Sequence, residues 1–112
     1  MRIYHNPRCS KSRQTLALLK ENGLDPEVVL YMDRTLTSND LKSLLMKLRL
    51  NPIQLVRRSE AIWKANFKGK TLTDAELIAV MIAHPKLIER PIVVKGKRAV
   101  LGRPPENVLE LI

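Results

Sequence analysis

Cysteine occurs once in this 112-residue chain, at Cys9. One thiol excludes an internal disulfide and a thiolate zinc cluster, and it suits a reducing compartment, so a cytoplasmic location is expected. Aromatic residues make up only 4% of the chain, with one tryptophan and one phenylalanine. That is too sparse for the stacking platforms of single-strand nucleic-acid binders. No apolar run approaches the roughly 20 residues of a membrane helix, and no charged-then-apolar signal segment opens the chain. A glycine-rich phosphate loop is missing. His5 and His84 stand isolated, and Asp33 and the other carboxylates show no ligand spacing, so neither a metal site nor a bound cofactor is expected. Acidic residues are also scarce, 11 against 20 Lys and Arg, which leaves a net charge of +9. Such a charge favours anionic partners. The cations are dispersed, with no run of five, which suits a small-anion site at least as well as nucleic acid.

What is present fits a single domain over 1–112 with one modest core. Met1 to Tyr4 reads as a short strand leading into the Asn6-Pro7 turn. A helix from Ser10 to Asn22 then carries Leu16 and Leu19 on one face and stops at Gly23. Val28-Val29-Leu30-Tyr31 is a continuous apolar run, the pattern of a buried parallel strand. The middle of the chain is helical. Thr37 with Asp40 and Thr73 with Glu76 form capping boxes, and Asn51-Pro52 places an N-cap before a first-turn proline. Trp63 to Lys70 between them reads as a loop. Ile92–Val94 and Ala99–Leu101 flank a basic turn, Lys95-Gly96-Lys97-Arg98, as a hairpin. A last short helix carries Val108, Leu109 and Ile112. This order predicts an α/β chain of the thioredoxin-like arrangement. It has a mixed four-stranded sheet and a helical insertion, about 37–86, between the second and third strands.

That arrangement puts Cys9 at the end of the first strand, where ligands bind in open α/β sheets. A helix N-terminus supplies unpaired N–H groups and a positive dipole end, and Arg8, Lys11 and Arg13 add charge nearby. Both favour the thiolate, the nucleophilic form. An ordinary thiol with pKa ~8.5 is about 3% ionised at pH 7. A depression of ~2 units raises that to roughly 75%, a differential stabilisation of about 2.7 kcal/mol. Cys9-Ser10-Lys11-Ser12 has Cys-x-x-Cys spacing with serine in the second place. No second thiol can resolve a mixed disulfide within the chain, so any redox cycle must borrow external thiols. His5, four residues before the cysteine, either tunes the thiol or is a satisfied strand-end histidine. Arg57 or Arg58, Arg90 and Arg103 fall at element boundaries, and guanidinium forks suit tetrahedral oxyanions. The Lys95, Lys97 and Arg98 cluster reads as a solvated hairpin tip.

Four segments, taken in order, resemble the glutaredoxin-coupled arsenate reductase family. They are Tyr4 to Arg13, Leu55-Val56-Arg57-Arg58, His84 to Val94, and Gly102-Arg103-Pro104. The resemblance implies a thioredoxin-like fold and a catalytic Cys9 thiolate, with His5 beside it influencing its ionisation. It implies an oxyanion held by Arg57, Arg90 and Arg103, with Pro91 in the family's cis-proline place and Ser12 structural at the site. Arsenate would be reduced to arsenite through a Cys9 adduct, with glutathione as co-substrate and glutaredoxin as partner. The alternatives are a glutathione-dependent oxidoreductase for another substrate and a regulatory thioredoxin-fold module that binds a protein. A nucleic-acid-binding domain rests on charge alone.

Overall fold

Two compact units make up the chain in the computed structural model, which describes all residues from Met1 to Ile112. Residues 1–34 and 90–112 form a sheet unit, and 35–89 form a helical unit.

In the sheet unit, β1 (Arg2–Tyr4) is followed by α1 (Ser10–Glu21) and β2 (Glu27–Val29). β3 (Ile92–Lys95), β4 (Arg98–Leu101) and a 3₁₀ helix over Pro105–Leu111 complete it. The strand order is β2-β1-β3-β4. β1 runs parallel to β2 and antiparallel to β3, and β3 and β4 form the expected hairpin. The fold is thus the α/β thioredoxin-like one, with the mixed four-stranded sheet and the helices between its second and third strands. In register, Ile3 faces Val93 and Val93 faces Val100. Ile3 and Val93 form a core with Leu19 of α1 and with Val108 and Leu111 of the 3₁₀ helix. That row removes apolar area from water at about 25 cal/mol per Å².

Three local expectations change in the sheet unit. The Val28–Tyr31 run pairs parallel as expected, through β2, but is buried only at Val29 and Tyr31. β2 is the edge of the sheet, and Val28 and Leu30 are 42% and 41% exposed. An apolar run cannot reveal its place in the strand order, because that place is set by the partner strands. The tail is also a 3₁₀ helix, whose three-residue period puts Pro105, Val108 and Leu111 on the buried face. Leu109 and Ile112, expected to pack, are 45% and 52% exposed. The hairpin turn is tighter than expected, since Lys95 and Arg98 pair as strand residues and leave Gly96-Lys97 as the loop.

In the helical unit, α2 (Ser38–Leu48) and α5 (Asp74–Ala83) start at the two capping boxes expected, each with both reciprocal hydrogen bonds. α3 (Pro52–Leu55) begins at Asn51-Pro52. Trp63–Asn66, expected as loop, belongs to α4 (Ala61–Asn66). Its N-cap, Glu60, makes no capping side-chain bond, so the helix lacks the usual start signal. It is held instead by the burial of Trp63. No helix of the chain is long and apolar enough to cross a membrane.

Candidate active site

The loop between β1 and α1 is built around buried polar groups. The Asn6 carbonyl accepts from the Cys9 N–H at 3.0 Å, and Asn6 Oδ1 accepts from the Arg8 N–H at 3.0 Å. Arg13 Nη1 reaches back to the Pro7 carbonyl at 2.8 Å. At the strand end, the His5 N–H donates to the Val29 carbonyl at 2.9 Å. The loop therefore delivers Cys9 to the N-cap position of α1, with φ −97° and ψ 121°. Asn6 was not singled out in the sequence, although an Asn-Pro turn is the setting in which an asparagine side chain caps its own backbone.

Ser12 is fully buried and joins two of these elements. Its Oγ accepts from the Asn6 N–H at 3.0 Å and lies 2.6 Å from His5 Nδ1. A buried hydroxyl proton needs an acceptor, and Nδ1 provides it. We therefore assign His5 as neutral, protonated at Nε2, with Ser12 as donor. Burial, followed by the charges of Arg13 and Lys20, holds the His5 pKa below its usual value, which fits this assignment. The unfolded chain then takes up the proton more readily than the folded one, so stability rises with pH between the two values. The contribution is complete above the unfolded value of about 6.5 and is lost as pH falls from there towards the folded value. Urea midpoints of the wild type should therefore drop from about pH 7 to about pH 5.5. The drop should be smaller in His5→Asn.

Two arginines of the sheet unit converge on the thiol. Arg103 Nη2 lies 3.7 Å from Cys9 Sγ, while its Nε donates to the Arg90 carbonyl at 2.8 Å. Asn107 Nδ2 anchors the Arg103 carbonyl at 3.0 Å. Burial pushes the Cys9 thiol up. The opposing influences outweigh it and hold the pKa below the ordinary value: the Ser12 N–H, the hydrogen bond and charge of Arg90, and the Lys11 N–H. The Arg90–Pro91 bond is cis, and so is Arg103–Pro104. Arg57 lies in the helical unit, where its Nε is 3.2 Å from Glu60 and its N–H donates to the Leu87 carbonyl at 2.7 Å.

Gly102 is a site residue that the sequence reading missed. Its N–H donates to the Pro91 carbonyl at 2.9 Å. A Cβ there would stand 2.5 Å from Thr15 Oγ1 and 2.8 Å from Pro91 Cγ. Thr15 is itself buried, donating to the Lys11 carbonyl at 2.8 Å. The glycine thus lets the segment after β4, which carries Arg103, approach Thr15 of α1 closely. Its only signal in the sequence is a glycine directly before Arg103-Pro104. Gly102→Ala should lose about 1–3 kcal/mol in urea unfolding through overpacking. Adding Thr15→Ala should restore part of it.

A thiol at a helix N-terminus, with two guanidinium-bearing residues beside it on a thioredoxin-like sheet, defines a class of thiol protein suited to oxyanions. Residues 4–111 match the ArsC family, and the chain belongs to it. It is 50% identical over 114 residues to the "Uncharacterized protein YfgD" of Escherichia coli K12, covering 100% of this chain and 96% of that one. It is 45% identical over 112 residues to a protein of Haemophilus influenzae named arsenate reductase, covering 98% and 97%. A solved structure described as arsenate reductase from Vibrio cholerae superposes with a TM-score of 0.93 at 48% identity, covering 99% and 96%.

Proposed function

We propose that this chain is a glutathione- and glutaredoxin-dependent arsenate reductase in which Cys9 is the nucleophile. The observation that carries the reading is the approach of Arg103 Nη2 to Cys9 Sγ, at 3.7 Å, at the start of α1. In this reading the Cys9 thiolate attacks pentavalent arsenic, forming an S–As bond as hydroxide or water leaves. Arg57, Arg90 and Arg103 neutralise the oxyanion charge. A glutathione thiolate then attacks Cys9 sulfur. The S–As pair of electrons passes to arsenic and arsenite leaves trivalent, with Cys9 and glutathione joined as a disulfide. A glutaredoxin thiolate attacks the glutathione sulfur and returns Cys9 as thiolate, so the two electrons come from two thiols. Cys9 lacks a second cysteine within the chain, which fits this use of external thiols. His5, through Ser12, acts as a positioning residue for the loop. The helical unit, 35–89, serves as an insertion of one functional domain over 1–112.

The direct test is arsenate-dependent NADPH oxidation in the presence of glutathione, glutaredoxin and glutathione reductase. Turnover that saturates with arsenate is expected. A folded protein that gives none, while Cys9 still alkylates rapidly at neutral pH, would keep the reactive thiol and reject arsenate as substrate.

A further inference from the structure

A second cationic feature lies within the helical unit. The chain from α3 to Lys70 borders an open cleft of about 490 Å³, with exposed Ile53 and buried Trp63 on its wall. Arg58, Lys64, Lys68 and Lys70 also line it, and no carboxylate does. Glu60, the one acid between residues 58 and 70, is engaged by Arg57 at 3.2 Å. Gathering four like charges around a cleft that no carboxylate lines is unfavourable for the protein alone, because they repel. A multivalent anion removes that penalty.

The wall of the cleft is fixed by local structure. Trp63 is only 7% exposed and packs on Phe67, whose ring also meets that of His84, with centroids 5.6 and 6.1 Å apart. The N–H groups of Phe67 and Lys68 both donate to the Trp63 carbonyl, ending α4. Gly69, at φ +82°, then turns the chain with open space where a side chain would stand. Lys68 and Lys70 flank it on the rim.

From this arrangement we propose that the cleft is a binding site for a small polyvalent phosphate, either free or carried on a compact organic body. The volume falls in the range of small-molecule sites, about 300–1,000 Å³. Three lysine point charges and one guanidinium fork match several phosphoryl oxygens better than a single carboxylate. A nucleic-acid strand fits less well, because Trp63 is too buried to offer a stacking face. The partly exposed Ile53 gives an attached organic body an apolar contact. This site does not depend on the reductase reading.

Trp63 is the sole tryptophan, so its fluorescence reports the cleft directly. The full-length protein would be titrated with inorganic tripolyphosphate and, separately, with ATP at constant ionic strength, with calorimetry alongside. Saturable binding with a Kd below about 1 mM is expected for at least one of them. Tighter binding of ATP identifies the organic phosphate as the ligand class, and equal binding identifies the free polyphosphate. Lys68→Gln with Lys70→Gln should weaken binding about tenfold or more. Lys97→Gln with Arg98→Gln, which removes equal charge from the β3–β4 hairpin, should leave it within about twofold. Absence of a saturable response by both methods would overturn the proposal. So would equal weakening by the two double variants, which would reduce the effect to net charge. Tighter binding of a twelve-nucleotide single strand than of either probe would replace it with a nucleic-acid site.

Discussion

Cys9→Ser should abolish arsenate reduction, lowering kcat by at least about 10⁴-fold, in a protein whose circular dichroism is unchanged. The size of the effect follows from the chemistry. The hydroxyl is not appreciably ionised near neutrality, and no other thiol exists in the chain to take over. Alkylation supplies an independent readout. In the wild type the single thiol should react with iodoacetamide with an inflection below the ordinary thiol value, because the Ser12 N–H and Arg90 outweigh the effect of burial. A residual arsenate activity in Cys9→Ser within tenfold of the wild type would place the chemistry elsewhere.

Arg90→Ala should lower kcat/KM for arsenate by about 10²–10³-fold, the usual effect of removing one oxyanion donor. It should do a second thing that loss of substrate contact alone would not. Arg90 favours the Cys9 thiolate by hydrogen bond and by charge, so the alkylation profile should move to higher pH. Arg90→Lys keeps the charge and loses the fork, and should fall between wild type and alanine in both readouts. In the proposed reading Arg57 also holds the oxyanion, so Arg57→Ala should lower kcat/KM for arsenate in the same assay. If Arg90→Ala left the alkylation profile unmoved, the thiolate would owe its stabilisation to the helix start and Arg103.

The parts of this molecule legible in the sequence are those determined by neighbours a few residues apart. The boxes at Thr37–Asp40 and Thr73–Glu76 are such features, and so are the Asn22-Gly23 stop and the placing of Cys9 at a helix start. Val28 illustrates the opposite case. Its strand is correctly read as parallel, but its exposure depends on β2 having nothing beyond it. The tail differs for a related reason. Leu109 and Ile112 fit an α-helical stripe, whereas the 3₁₀ period buries Leu111 instead. At the site, Cys9, His5 and Ser12 are close in sequence, and their connection is local. Arg103 and Gly102 reach the same place only through the β3–β4 hairpin, about ninety residues later. Their convergence is a tertiary fact; the family resemblance pointed to Arg103, and nothing in the sequence pointed to the close packing of Gly102.

The start of α1 carries a stability cost. As a neutral thiol, the N-cap side chain makes no capping hydrogen bond, and the first turn contains no acidic residue. Serine is among the preferred N-caps, worth typically about 1 kcal/mol over a non-capping residue, and the backbone angles at position 9 already suit it. With the thiol protonated, at acid pH, Cys9→Ser should therefore be the tougher protein to melt, an advantage that shrinks as the wild-type thiolate forms. Position 9 is a trade-off in which durability has been surrendered for reactivity. Screening this chain for heat resistance at acid pH would select against the very atom on which its proposed chemistry depends.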